Sequence, residues 1–368
     1  MSQNYGKFYL RIDWTLLLLL ISITGLGLLN LYSASANVKS PMFTQQIYWI
    51  FIGFSAFLIT ATIDYRIYKK YAYLIYVLGI ISLILVLFVG MAKHGSQRWL
   101  IIGPMILQPS ELMKIAVIFA LARQVDAAPP KTDAGRTLKE LIWPVVIISV
   151  PFLLIMIQPD LGTGLLILLI FFSVFFLLRL RLRSIITLAS SLIILMPLIW
   201  TFVLKGYQKD RILIFLDPSI DPIGEGWHYR QSIFAIGSGK LFGKGFLSGT
   251  QSKFHFLPAQ WSDFPFSVWA EEWGLLGSTV LIGLYMWLIL MCISIAKNSR
   301  DRFASVISIG VGALFFWHVI INIGMVMGLL PIVGVTLPLF SHGGSSMLTF
   351  MIAAGLIMSI SSRKHSFE

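Results

Sequence analysis

The sequence predicts an all-α, polytopic membrane protein, and three observations support this fold class. Hydrophobic residues make up 57% of the 368 residues, and charged residues make up only 12%. Soluble domains carry about 25% charged residues. The apolar residues fall in runs of about 20, which is the helix length needed to cross a hydrocarbon core about 30 Å thick. Basic residues fall in short clusters between these runs.

About ten apolar runs along the chain are long enough to be transmembrane helices. They cover residues 14–34, 46–64, 71–92, 108–125, 142–158, 161–179, 184–204, 264–296, 303–328 and 346–361. The first run is longer than the apolar part of a secretory signal peptide, so we expect it to be retained. We see no second domain, and residues 1–368 are expected to form a single integral membrane domain.

The basic clusters indicate the orientation of the chain. In a ten-span arrangement they fall on one side, which the positive-inside rule assigns to the cytoplasm. These clusters are Lys7 and Arg11; Arg66, Lys69 and Lys70; Arg123, Lys131, Arg136 and Lys139; Arg179, Arg181 and Arg183; Lys297, Arg300 and Arg302; and Arg363 and Lys364. We therefore expect both termini in the cytoplasm. The clusters also account for much of the net charge of +12, which argues against nucleic acid as a partner.

A long extracytoplasmic loop is predicted between the seventh and eighth spans, at residues 205–262. It contains the glycine-rich stretch AIGSGKLFGKGFLSGTQ, from Ala235 to Gln251. Its aromatic and apolar residues argue against disorder, and long ordered loops are usually functional. A second glycine-rich stretch, Gly328 to Ser346, is expected to be an irregular segment that lines a cavity at membrane depth.

Ionisable residues at the ends of spans are the candidate functional residues, because charge inside a membrane is costly. They are Asp263, Glu271 and Glu272 around the start of the eighth span, Glu111 and Lys114 in the fourth, Asp160 before the sixth, and Arg98 in the loop before the fourth. The predicted topology brings all of them to the extracytoplasmic side. We therefore expect one cavity to contain several of them.

Each candidate also has a structural interpretation. Asp263 and Asp160 stand where a helix N-cap would stand. Glu111 and Lys114 are three residues apart, so they would neutralise each other on one helix face. Arg98 would simply lie at the level of the lipid headgroups beside Trp99, whereas its functional interpretation is to bind a lipid phosphate. Adjacent glutamates point in different directions on a helix, so either Glu271 or Glu272 is expected to be structural.

Four stretches of sequence resemble the SEDS family of shape, elongation, division and sporulation proteins. In order, they are QRWL with QPSELMK, QPDLGTG, the run from YRQSIF to AEEWG, and NIGMVMGLLPIVGVTLPLFSHGGSS. Together they span nearly the whole chain. The stretch GKGFLSGTQSKFHFLP resembles the elongation branch of the family more than the division branch. Pro265 departs from the family pattern, where Ile is commoner, and is expected to bend the helix that follows Asp263. His342 stands where Tyr is usual.

The resemblance implies a peptidoglycan glycosyltransferase that joins lipid II into β-1,4-linked strands outside the bacterial cytoplasmic (inner) membrane during cell elongation. The family's essential aspartate matches Asp263, which we expect to act as general base. Its supporting cavity residues would be Glu111, Lys114, Asp160 and Glu272. Cations that would hold the substrate pyrophosphate are Arg98, Lys114, Arg211, Lys240 and Lys244.

Cofactors and partners follow from the same resemblance. Mg²⁺ or Mn²⁺ is the expected companion of a pyrophosphate, although no residue spacing predicts a metal site. Membrane lipid, a class B penicillin-binding protein transpeptidase and other elongation-complex proteins are the expected partners. Two alternative functions stay open: a lipid II flippase or other transporter, which would use charges through the full membrane depth, and a non-catalytic scaffold, which would tolerate loss of Asp263.

Overall fold

The computed structural model describes residues 12–363, apart from 37–40, 94–95, 104, 130–136, 255, 258 and a set of positions between 178 and 205. Its helices are α1 (Trp14–Ser35), α2 (Met42–Thr62), α3 (Tyr65–Val89), α4 (Pro109–Ala127), α5 (Ile142–Ile157), α6 (Leu161–Leu177), α7 (Gly206–Leu216), α8 (Glu225–Ser238), α9 (Thr250–Lys253), α10 (Pro265–Asn298), α11 (Arg302–Val326) and α12 (Gly344–Arg363). Within the described ranges, 7 helices are long and apolar enough to cross a membrane. The predicted all-α, polytopic membrane fold is confirmed.

Most of the predicted spans correspond to observed helices. The first six runs match α1 to α6, and the last three match α10 to α12. Helix α3 starts earlier than predicted, at Tyr65, because Asp64 caps it by accepting from the amide of Arg66 at 2.9 Å. About half of the predicted seventh span, residues 184–204, lies outside the described residues, and Ile199–Val203 forms a short π-helix within it.

Helices α4, α11 and α12 form the centre of the bundle. Each is buried around most of its circumference, whereas α2 and α3 bury only a narrow face. Helix α12 packs against α2, and α11 packs against α4, α6 and α10. A helix that is apolar all round belongs in such an interior. The charged residues of α4 are therefore held among packed helices and not in lipid.

Salt bridges show which helix ends lie together. Lys69, near the start of α3, contacts Asp126 at the end of α4 at 2.7 Å and Asp301 before α11 at 3.6 Å. Arg363, at the end of α12, donates to the carbonyl of Thr62 at the end of α2, at 2.6 Å. These termini share one end of the bundle. The starts of α4, α10 and α12 consequently lie at the opposite end, where the candidate acids are found.

A small antiparallel sheet, which the sequence did not predict, joins α3 to α4. Its strands β1 (Met91–Lys93), β2 (Ser96–Ile102) and β3 (Met105–Leu107) pair in the order β1-β2-β3. Gly103 has φ +61° in the turn between β2 and β3, a conformation that favours glycine. Strand β3 leads directly to Gln108 and Pro109, so the sheet fixes where α4 begins.

Helix α10 is kinked at Gly274, which has φ 65°. Pro265 is the first residue of this helix, so it starts the helix and does not bend it, contrary to the expectation drawn from its departure from the family pattern. The kink leaves the carbonyls of Glu271 and Glu272 without their usual helical partners. The amides of Lys244 and Gly245 donate to them instead, at 3.0 and 2.9 Å.

The glycine-rich loop, defined here as residues 239–251, is joined to the kink by backbone hydrogen bonds in both directions. In return, the amides of Leu275 and Leu276 donate to the carbonyls of Lys240 and Leu241, at 2.9 and 3.1 Å. A Cβ at Gly243 would lie 2.1 Å from the carbonyl oxygen of Glu272, so only glycine fits there. The loop therefore supplies backbone hydrogen-bond partners that α10 lacks at its kink.

The connection between α11 and α12, residues 327–343, contains no regular helix or strand longer than a turn. Leu337, Leu339 and Phe340 are buried, so this α11–α12 connection runs through the interior. Its backbone is held by side chains of neighbouring helices, including the hydroxyl of Tyr285, which donates to the carbonyl of Pro338 at 2.6 Å. Irregular backbone at membrane depth requires such partners.

Candidate active site

Asp263 lies in a turn directly before α10 and does not cap that helix. The N-cap position belongs to Phe264, and no side chain caps the helix there. The amide of Asp263 donates to the carbonyl of Ala259 at 3.0 Å, which closes the turn. The Asp263 carboxylate faces the α11–α12 connection, where a Cβ on Gly334 would lie 3.5 Å from Oδ2. The N-cap interpretation of Asp263 is therefore wrong.

The surroundings of Asp263 make its carboxylate a stronger base than an exposed one. Burial raises the pKa of Asp263, while a hydrogen bond from Ser262 and the positive charge of Arg211 partly oppose this rise. Arg211 belongs to α7 and contacts Glu225 through Nε at 3.2 Å. Among the cations predicted to hold pyrophosphate, Arg211 is thus the one whose charge acts on Asp263.

Glu111 and Lys114 form a buried ion pair in the first turns of α4. Lys114 Nζ lies 2.7 Å from Glu111 Oε1 and 2.8 Å from His318 Nε2, and the lysine has 0% exposure. Its ammonium also lies 5.9 Å from the ring centroid of Phe350. This geometry matches the alternative in which the pair neutralises itself. Direct contact between Lys114 and a pyrophosphate is not available in this conformation.

Asp263 and Lys114 flank the same stretch of the α11–α12 connection. The Asp263 carboxylate faces Gly334, and the histidine that contacts Lys114 also contacts the carbonyl of Thr336 through Nδ1 at 3.0 Å. Only Val335 separates Gly334 from Thr336 along the chain. Asp263 and His318, the partner of Lys114, thus approach the same short backbone segment, while the expectation that one cavity contains both Asp263 and Lys114 stays a prediction.

Glu271 is the structural member of the adjacent glutamate pair. Its buried carboxylate accepts from Lys244 Nζ at 2.6 Å, from the amide of Thr250 at 2.8 Å and from the amide of Gln251 at 3.2 Å. A carboxylate with these partners at the start of α9 organises the glycine-rich loop. Lys244, predicted to bind pyrophosphate, is instead paired with Glu271.

Glu272 points to α1 and not to Asp263. It accepts a hydrogen bond from the hydroxyl of Ser33, and backbone amides of Leu247 and Gly249 lie beside it. With 1% exposure, this side chain links α1, α10 and the glycine-rich loop. The expectation that Glu272 belongs to the Asp263 cavity is not met, because the helix turns it about 100° away from Glu271 and toward α1.

Asp160 and Arg98 belong to a separate polar cluster. Asp160 precedes α6 and accepts from the amide of Thr163 at 3.3 Å and from Gln108 Nε2 at 3.0 Å, which is an N-cap arrangement. Arg98 on β2 lies 3.6 Å from Asp160 and donates to the carbonyls of Gln158 and Pro159. Arg98 thus holds the α5–α6 turn, and its predicted role in binding pyrophosphate or lipid phosphate has no support from this geometry.

Lys240 is exposed and lies in the turn that begins the glycine-rich loop, with φ 50°.

Two buried polar residues of α11, His318 and Asn322, were not singled out from the sequence. The amide Nδ2 of Asn322 donates to the carbonyls of Asp263 at 3.0 Å and Val335 at 2.6 Å. A histidine and an asparagine one turn apart in an apolar span are themselves the signal that could have found them.

No group of three or more His, Cys, Asp or Glu side chains that could hold a metal ion occurs in the part of the chain that the structure describes. Mg²⁺ needs near-octahedral oxygen ligands, which these separate carboxylates do not supply by themselves. The residues present therefore do not fit a metal site made by the protein alone.

Comparison with known proteins identifies the family. The model of the cell cycle protein family FtsW/RodA/SpoVE matches residues 13–366. The chain belongs to this family. Among its curated members, the chain is 40% identical to the peptidoglycan glycosyltransferase MrdB of Escherichia coli K12, with 98% of this chain and 96% of that protein covered. It is 34% identical to the peptidoglycan glycosyltransferase RodA of Treponema pallidum, over 96% and 98%.

Solved structures of similar chains agree with the fold. A chain from a peptidoglycan synthase complex that coordinates polymerization and crosslinking superposes with a TM-score of 0.84 at 30% identity, covering 96% of this chain and 98% of that one. The crystal structure of the rod shape determining protein RodA from Thermus thermophilus gives a TM-score of 0.72 at 27% identity, with the same coverage.

Proposed function

We propose that this family member is a peptidoglycan glycosyltransferase that polymerises lipid II into β-1,4-linked glycan strands during cell elongation. Curated relatives at 34–40% identity over nearly the full chain are peptidoglycan glycosyltransferases. The structural observation that carries the proposal is Asp263, a partly buried carboxylate of raised pKa that is not used to cap its helix. Such a group is suited to general base catalysis.

The proposed reaction exchanges one bond to an anomeric carbon for another. The 4-hydroxyl of one sugar attacks the anomeric carbon of the next, and the bond from that carbon to the lipid pyrophosphate breaks. Asp263 takes the hydroxyl proton, and the pyrophosphate leaves with the bonding electrons. Inversion converts the α-linked donor into a β-1,4 product. Arg211, whose charge acts on Asp263, is the cation proposed to stabilise the leaving group.

The proposed orientation places this site outside the cytoplasmic membrane and both termini in the cytoplasm. Support comes from the excess of lysine and arginine at the end of the bundle opposite Asp263, which includes Lys69 and Arg363. In a bacterium, that arrangement exposes the site to lipid II in the outer leaflet.

A class B penicillin-binding protein is the proposed partner, and other proteins of the elongation complex would join it. The similarity to a chain of a peptidoglycan synthase complex, which coordinates polymerization with crosslinking, supports this assignment. Mg²⁺ or Mn²⁺ remains a proposed companion of the substrate pyrophosphate, and no step above depends on it.

The test uses purified full-length protein, its transpeptidase partner and labelled lipid II in lipid nanodiscs. Glycan ladders are expected from the wild type and are expected to be absent with Asp263→Asn, which keeps the shape of the side chain and removes the base. Asp210→Asn is the matched control, because Asp210 is exposed on α7 and its loss leaves Asp263 unchanged.

The alternatives give different results when the same purified protein is also reconstituted into closed lipid vesicles. A transporter would move lipid II across the vesicle membrane without forming polymer, and a scaffold would support its partner equally well after loss of Asp263. Glycan synthesis by correctly folded Asp263→Asn protein would exclude the assigned base.

A further inference from the structure

The neutral form of His318 can be assigned from its two partners. A lysine ammonium only donates hydrogen bonds, so Nε2 of His318, at 2.8 Å from Lys114 Nζ, must accept. The other ring nitrogen, Nδ1, then carries the proton and donates to the carbonyl of Thr336 at 3.0 Å. His318 is 1% exposed, so its ring is held in one orientation. The ring bridges Lys114 and the backbone of the α11–α12 connection.

Asn322 bridges Asp263 and the same α11–α12 connection in an equivalent way. Both N–H groups of its side-chain amide are used: one donates to the carbonyl of Asp263 and the other to the carbonyl of Val335. Asn322 is 0% exposed, and its bond to Val335 is only 2.6 Å long. An apolar side chain here would remove both donors, and each carbonyl would lose this hydrogen bond.

His318 and Asn322 lie four residues apart on α11, which corresponds to about 6 Å along one helix face. They bind consecutive carbonyls of the α11–α12 connection, at Thr336 and Val335. We propose that His318 and Asn322 are positioning residues that hold Lys114 and Asp263 at a fixed separation across this connection. The inference rests on the proposed function, because it assigns the two residues to the same reaction.

Asn322→Leu tests the half of the proposal that concerns Asp263. The substitution keeps the volume and removes both donors. We expect kcat for lipid II polymerisation to fall about 10–100-fold, with KM within about threefold, because small displacements of a catalytic group have effects of this size. In the Asp263→Glu background, where the carboxylate is already displaced, the same substitution should lower kcat by less than about threefold.

Tyr285→Phe is the matched control. Tyr285 is buried, and its hydroxyl donates to the carbonyl of Pro338 in the same connection and not to Asp263 or Lys114. This variant is expected to keep kcat within about twofold of the wild type while its thermal unfolding temperature falls. Equal losses of kcat for Asn322→Leu in the two Asp263 backgrounds would overturn the positioning role, as would wild-type kcat in folded Asn322→Leu protein.

His318 gives an independent test if Asn322→Leu does not fold. Glutamine can accept from Lys114 through its carbonyl oxygen and donate to Thr336 through its amide, whereas leucine can do neither. His318→Gln should therefore retain kcat within about fivefold, and His318→Leu should lose about 10-fold or more. Equal activity of the two variants would overturn the proposal, while absence of glycan synthesis by the wild type would overturn the proposed function instead.

Discussion

The backbone of Gly334, which carries no side chain, lies next to the Asp263 carboxylate. A Cβ on Gly334 would lie 3.5 Å from Asp263 Oδ2, and the φ of this glycine is +70°. The space in front of the carboxylate is consequently bounded by main chain on one side, so the acceptor sugar must approach from the other. This relationship, together with the position of Asn322, defines the environment of the proposed base.

Gly334→Ala is expected to lower kcat about 10-fold, because the methyl group contacts Asp263 and the strained backbone shifts to relieve φ > 0. The unfolding free energy should fall by about 1–2 kcal/mol. Gly103→Ala is the matched control: Gly103 has φ +61°, and a Cβ there would have no neighbour within 4 Å. The control should lose similar stability and keep its kcat, and a similar loss of kcat in both variants would contradict the prediction.

Asp263→Asn should remove activity without lowering stability at neutral pH. Burial raises the pKa of Asp263 above its unfolded value, so the folded state binds more protons, and stability decreases as pH rises from the unfolded pKa to the folded one. Asparagine cannot ionise and avoids that penalty. Thermal unfolding at pH 7 should occur at the same temperature or higher in the variant, and a clear decrease would contradict the assigned pKa direction.

The same raised pKa predicts the acidic limb of the pH–rate profile. The base must be ionised to accept a proton, so kcat/KM should increase with pH through the folded pKa of Asp263. That midpoint should lie above the range usual for an exposed aspartate. Polymerisation rates measured from pH 4 to 8 test this, and a midpoint below the usual range would contradict the proposal.

Glu271→Ala should loosen the glycine-rich loop. The buried carboxylate accepts from Lys244 and from the amides of Thr250 and Gln251, so its removal leaves these donors without their acceptor. We expect a loss of about 1–3 kcal/mol of stability and faster hydrogen exchange in residues 239–251. Lys240→Met is the control, because Lys240 is exposed, and it should leave exchange unchanged.

Asp160 is expected to behave as a helix cap and not as a catalytic group. Asp160→Asn keeps an acceptor for the amide of Thr163 but loses the charge that faces Arg98, so kcat should be close to wild type even if stability falls. Asp160→Ala should lose about 1–2 kcal/mol of stability, which is typical of a removed N-cap. A loss of kcat in folded Asp160→Asn, measured beside Asp263→Asn, would contradict this assignment.

The helices were predictable from sequence because apolar length is set by the thickness of the membrane. The start of α4 was also predictable, since Pro109 and Glu111 form a local helix-start pattern. The sheet between α3 and α4 was not, because its strands are three to seven residues long and their pairing depends on neighbouring helices. Local patterns thus gave the spans but not the structure between them.

The candidate site was predictable as a set of residue types, but not as a set of partners. Glu111 and Lys114 were paired correctly, since three residues on one helix fix their proximity. Lys244 pairs with Glu271, and Glu272 accepts from Ser33. Such contacts depend on how loops and helices pack. Family resemblance identified acids and cations, whereas geometry separated the structural ones from Asp263.

The exchange of backbone bonds between Lys240–Gly245 and the kink at Gly274 restricts how this loop can evolve. Surface loops normally tolerate insertions, because lengthening them costs little entropy. Here one added residue between Lys240 and Gly245 would shift the register of four main-chain bonds and unwind part of a membrane span. We therefore expect variation in loop length only outside residues 240–245.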